Sequence, residues 1–73
     1  MKLKNKLRRF RFENDEMTQQ QLADALGVSR QTIFLIEKGN YNPSVLLSLK
    51  IAKLFNTTVE EIFQIEEVEN ENK

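Results

Sequence analysis

The chain has no cysteine and no histidine. The first absence excludes a disulfide staple, a thiolate metal site and a cysteine nucleophile together. The second removes the commonest general base and the commonest zinc ligand. Glycine is down to two residues, so no glycine-rich loop is present to cradle a phosphate. No apolar run approaches the roughly 18 residues of a membrane span, and the first residues lack the apolar stretch of a secretion signal. The carboxylates do not fill the gap. Asp15 and Glu16 are adjacent in a polar loop with no catalytic companion, and Glu60 and Glu61 open a helix, where the helix dipole accounts for them. The sequence reads as that of a soluble, cytoplasmic protein that is not an enzyme, takes no metal or cofactor, and enters no membrane.

What is present fits one small domain. Seventy-three residues fall short of the roughly 100–150 of a typical domain. Forty per cent apolar and 30% charged residues are the composition of an ordinary globular protein. A chain of this size buries only about 60% of the surface its unfolded form exposes, so the core is thin and a partner subunit would help. The net charge is zero, but its distribution is uneven. Residues 1–55 carry ten bases and five acids, and residues 56–73 carry one base and six acids. Lys2, Lys4, Lys6, Arg8, Arg9 and Arg11 stand in the first eleven residues without an acid among them. Such asymmetry points to an anionic partner or to a charged tail. A solvated basic helix with a solubilising acidic tail explains the same numbers, so charge alone leaves both readings open.

Local signals divide residues 1–65 into five short helices, followed by an acidic tail over 66–73. Asn5 is placed to cap a first helix over about residues 6–14. Thr18 caps a second, with Gln21 completing a capping box, Leu22, Ala23 and Leu26 on the inner stripe, and Gly27 as a left-handed stop. Ser29 caps a third, with Ile33, Ile36 and Glu37 on one side and Gly39 at its end. Ser44, after the loop Asn40-Tyr41-Asn42-Pro43, caps a fourth to about Phe55. Asn56 and Thr57 break it, and Thr58 caps a fifth through Val59, Ile62 and Phe63, with Glu61 completing a second box. Lys2-Leu3-Lys4 and Phe63-Gln64-Ile65-Glu66 alternate polar and apolar residues, so the two ends are expected to pair as a small ribbon.

Residues 19–38 have the spacing of a helix-turn-helix. Leu22 and Leu26 on one helix, Val28 in the turn, and Ile33 and Ile36 on the next would fill the angle between the helices. Ala23 is small where the helices cross closest, and Gly27 is free to take a positive φ. An αα-hairpin without any nucleic acid uses the same packing, so function has to come from the exposed face. With about 100° per residue and Ile33 pointing inward, Gln31 and Leu35 lie opposite, flanked by Thr32 and Phe34, and Arg30 projects from the first turn. Glutamine pairs bidentately with adenine and arginine with guanine, while leucine and threonine methyls contact the thymine methyl. Ser29 marks a helix start whose N–H groups face any phosphate, and Gln19 stands at the preceding helix start. Phe34 is either a base contact or part of an apolar interface.

The stretch Thr18 to Ser44, TQQQLADALGVSRQTIFLIEKGNYNPS, resembles the helix-turn-helix of the Cro/CI-type, lambda-repressor-like bacterial and phage regulators. The similarity runs over about residues 3–65, and LGVSRQTI, IEKG and YNPS carry it. The resemblance implies an all-α, five-helix DNA-binding domain acting as a homodimeric repressor of a palindromic operator, read in the major groove of double-stranded DNA by the helix over 29–38. It implies that Arg30, Gln31, Thr32 and Leu35 face bases, and that Gln19, Asn40, Tyr41 and Asn42 hold phosphates. It also implies an ion pair between Arg11 and Glu37. The stretch between Arg11 and Thr18 is one residue longer than in many relatives.

Leu54, Phe55, Asn56, Val59 and Ile62 form the expected dimer face, because the fifth helix lies away from the reading helix. Leu46 and Leu54 add apolar surface to the fourth helix, either as scattered exposure or as part of that face. An alternative function is the antitoxin of a toxin–antitoxin pair, a protein-interaction module in which the acidic tail binds a basic partner. What separates the two is whether a toxin-like open reading frame lies next to the gene and whether deleting residues 66–73 spares DNA binding, and a tail indispensable for DNA binding would leave neither standing.

Overall fold

Residues 2–66 are described by the computed structural model. A strand at each end brackets five helices: β1 (Lys2–Asn5), α1 (Leu7–Glu13), α2 (Gln19–Leu26), α3 (Arg30–Lys38), α4 (Val45–Leu54), α5 (Val59–Ile62) and β2 (Phe63–Glu66). Hydroxyl side chains start four of the helices. Thr18, Ser29, Ser44 and Thr58 each accept the N–H three residues on, at 3.0, 3.1, 3.0 and 3.2 Å. At Thr18 the box is complete, because the Gln21 side chain accepts the Thr18 N–H at 2.8 Å. At Thr58 only the hydroxyl half forms, and Glu61 stays exposed. Each such cap contributes about 1 kcal/mol.

The helix ends share one device. Gly27, Gly39 and Asn56 adopt left-handed φ of 74°, 82° and 56°. The next N–H in each case turns back onto the carbonyl five residues earlier: Val28 to Ala23, Asn40 to Leu35 and Thr57 to Ala52. This is the Schellman termination, and it closes α2, α3 and α4 alike. The loop after α1 is built differently. Asp15 and Glu16 are both left-handed, and the Arg11 carbonyl accepts the N–H of Asn14 and of Met17. Two consecutive left-handed residues absorb this loop's length while returning the chain to Arg11.

Leu7, Leu22, Ala23, Leu26, Ile33, Ile36, Leu47, Ile51, Ala52, Ile62 and Phe63 form the buried core, with Leu3, Phe10, Met17, Val28, Phe55 and Val59 packed around it. The ends pair as the alternation suggests, antiparallel with Leu3 opposite Ile65 and Asn5 opposite Phe63. Asn5 joins three elements. Its Oδ1 accepts the Leu7 N–H at 3.0 Å, and its Nδ2 donates to the Ile36 carbonyl of α3 at 2.9 Å. Glu66, assigned to the tail by sequence, is the last residue of β2, and the rest of that tail, 67–73, lies outside the described residues. Among the described residues no helix is long and apolar enough to cross a membrane, and no three metal-ligating side chains come together.

Candidate nucleic-acid interface

α2 and α3 make up the helix-turn-helix, and Gly27 gives the turn its left-handed residue. No atom lies within 4 Å of where a Cβ at Gly27 would sit, so the requirement there is backbone conformation and not space. Leu22, Ala23 and Leu26 of α2 and Ile33 and Ile36 of α3 face each other in the core. That leaves Arg30, Gln31 and Phe34 exposed on the outer side of α3, with Thr32 and Leu35 half-buried beside them. Between residues 25 and 59 the chain has four cations, Arg30, Lys38, Lys50 and Lys53, and a single acid, Glu37.

That acid is neutralised from inside. Arg11 Nε donates to Glu37 Oε2 at 2.6 Å and Nη2 donates to Oε1 at 2.9 Å, a bidentate pair of two side chains 9% and 8% exposed. The third arm, Nη1, donates to the Met17 carbonyl at 2.7 Å, so α1, the loop and α3 meet at one guanidinium. Burying this pair is tolerable because the carboxylate oxygens and all three guanidinium nitrogens have partners. A further link was not visible in the sequence. Gln19 Nε2 donates to Glu37 Oε1 at 3.1 Å, and its own Oε1 accepts from Arg30 Nη1 at 3.4 Å. Gln19 thus bridges the buried pair and the exposed arginine at the start of α3. Only the three-dimensional approach of α2 to both ends of α3 reveals it, since Gln19 and Glu37 are eighteen residues apart.

The other candidate residues fall as follows. Ser29 Oγ is engaged as the α3 cap and shares a 2.9 Å hydrogen bond with the Thr32 hydroxyl. Asn40, Tyr41 and Asn42 are exposed in the loop between α3 and α4. Phe34 is 38% exposed, with Lys38 Nζ 5.5 Å from its ring centre. Lys50 reaches back to the Leu26 carbonyl at 2.9 Å, closing the end of α2 and tying α4 to it.

The dimer-face expectation needs one correction. Ile62 is completely buried in the protomer and offers nothing to a second copy. A helix of four residues has no periodicity to separate inner from outer apolar positions, and here the inner one was misplaced. Phe55 and Val59 are half-buried against the core, with the Phe55 ring 5.7 Å from that of Phe10, whereas Leu54 and Asn56 are exposed.

Comparison with known proteins converges on this unit. A family model described as helix-turn-helix matches residues 11–62. An uncharacterized HTH-type transcriptional regulator of Methanocaldococcus jannaschii is 52% identical over 67 residues, covering 92% of this chain and all of that one. One of Bacillus subtilis is 45% identical over 65 residues, covering 89% and 97%. Among solved structures, a protein from Bacteroides fragilis superposes with a TM-score of 0.73 at 22% identity, covering 85% of this chain and 98% of that one, which speaks to the fold. The capped helix pair, the left-handed turn and these matches agree: the chain belongs to the lambda-repressor-like helix-turn-helix family of DNA-binding transcriptional regulators, a family that is not enzymatic.

Proposed function

We propose that this protein is a cytoplasmic, homodimeric repressor that reads a palindromic operator with α3 in the major groove. The observation that carries the reading is the outer face of α3, where Arg30 and Gln31 stand exposed on a helix whose sole acid is already paired with Arg11. Arg30 and Gln31 supply the bidentate chemistry for guanine and adenine, and Thr32 and Leu35 supply methyls for thymine. Phe34 stands at the edge of this set. The first N–H groups of α2 and α3 have no intrahelical acceptor and favour phosphate, with Gln19 and Ser29 beside them. Asn40, Tyr41 and Asn42 hold the opposite strand. A lone module buries only about 600–1,000 Å² on DNA, so two copies on two half-sites are needed for useful affinity. Leu54 and Asn56, with the exposed edges of Phe55 and Val59, form the face between the copies.

Selection of genomic DNA fragments by the purified protein, at about 150 mM salt to suppress non-specific binding, tests the reading. Enrichment of a two-fold symmetric motif with half-site centres about 10 base pairs apart is the expected result. Folded protein that enriches no sequence would overturn it.

A further inference from the structure

Two exposed aromatic rings on the flank of the helix-turn-helix each hold a cation. The Arg8 guanidinium lies 5.4 Å from the centre of the Phe12 ring, with Arg11 at 5.8 Å, and the Lys38 ammonium lies 5.5 Å from that of Phe34. Phe12 is 51% exposed, so its ring contributes little to the core. Its other neighbour in sequence space, Arg9, is bound to Glu13 at 3.0 Å. Arg8 and Lys38, by contrast, are exposed and make no hydrogen bond or ion pair among the described residues.

These two cations face the same place. Arg8, Lys38 and Phe34 line a groove of about 310 Å³ between α1 and α3, closed by Arg11, Gln19 and Glu37. Glu37 is neutralised by Arg11, so the groove presents two uncompensated positive charges and no uncompensated negative one. Gln19 opens α2, which places the groove beside the helix start where a phosphate is favoured. Aromatic faces restrain the two long side chains at small cost, so less freedom is lost when they meet an anion.

We propose that Arg8 and Lys38, steadied by Phe12 and Phe34, form a clamp for the sugar–phosphate backbone of the DNA strand that passes the start of α2. The inference rests on the DNA-binding reading above and extends it to α1, outside the helix-turn-helix. A duplex strand carries one negative charge per about 3.4 Å of axis, so successive phosphates are close enough to engage both cations. The guanidinium supplies a planar fork and the ammonium a mobile point charge, and neither contact depends on sequence. Phe12 is a positioning residue that acts through Arg8.

The test is the salt dependence of duplex binding for the parent, Arg8→Gln, Lys38→Gln and the double variant, on the selected operator and on an unrelated duplex of equal length. Each substitution is expected to flatten the slope of log K against log salt by about 0.9, which amounts to about threefold in affinity between 50 and 200 mM salt. The loss should be equal on both duplexes. Phe12→Ala should weaken binding evenly, and Phe12→Trp should restore it. Both cations are exposed, and an unchanged helical circular dichroism spectrum will show that the variants are folded. A double variant with the parent's slope overturns the clamp, even where operator selection succeeds. A parent that selects no operator but loses slope on substitution overturns base reading and leaves the clamp standing.

Discussion

On the outside of α3 the exposed residues are Arg30, Gln31, Phe34 and Lys38, whose ammonium lies over the Phe34 ring. On α4, Val45, Leu46 and Leu49 stand at 77%, 69% and 55% exposure, about one turn of bare aliphatic surface, with Lys50, Lys53 and Leu54 exposed further along. The inner sides differ in the opposite sense. α3 adds to its buried Ile33 and Ile36 a polar network that runs from Arg11 through Glu37 to Gln19, whereas α4 rests on Leu47, Ile51 and Ala52 with one tie from Lys50 to the Leu26 carbonyl. Hydrocarbon gains mainly by area, at about 25 cal/mol per Å², and distinguishes one orientation from the next only through the fit of its shapes. A bidentate network does distinguish, because its donors and acceptors meet in one geometry. The helix proposed to read base edges is the one whose orientation is fixed in part by hydrogen bonds.

The largest effect should come from breaking α3 on its hidden side. Glu37→Ala leaves the Arg11 guanidinium buried without its carboxylate, and a loss of about 3–5 kcal/mol is expected in urea unfolding. Replacing both partners with Arg11→Met and Glu37→Leu should recover much of that loss. Breaking the outer side should leave stability alone. Arg30→Ala and Gln31→Ala are expected to cost about 1–3 kcal/mol of operator binding, confined to particular base pairs. Even weakening on every duplex would remove these residues from base reading. A smaller effect sharpens the account of the anchor. Glu16 is left-handed with a Cβ, so Glu16→Gly should stabilise the protein by about 0.5–1 kcal/mol in the same unfolding assay. On α4, the combined change Val45→Ser, Leu46→Gln and Leu49→Gln should leave the monomer's unfolding free energy within about 0.5 kcal/mol per site, since these side chains touch water already.

The parts legible in the sequence are those written in local chemistry. Thr18, Ser29 and Ser44 each sit one residue before a helix, and Gly27 and Gly39 one residue after, because cap and terminator bonds span only three to five residues. The ribbon was legible from two-residue alternation at both ends. The inner stripe of α3 followed from its period, with Ile33 and Ile36 buried. Ile62 was not legible, since one turn of helix carries no period. The bridge through Gln19 was not legible either, because it depends on three helices converging, and glutamine at a helix start has many uses. Phe12 carries no local signal for its place, which depends on Arg8 one turn earlier, on the outer side.

Asn5 sets an order of events for a chain still being made. Its amide is a second donor to the Ile36 carbonyl near the end of α3, which also accepts the Gly39 N–H, while its own backbone is held opposite Phe63. The tie from Asn5 to α3 therefore reaches its final setting only after residue 63 has been synthesised and has found the first strand. Closing that long loop carries an entropy cost that grows only with the logarithm of its length, so the delay is set by synthesis more than by search. Until then the polar anchors of α3 are Arg11 and Gln19 alone, and the strand ribbon adds the last of its supports.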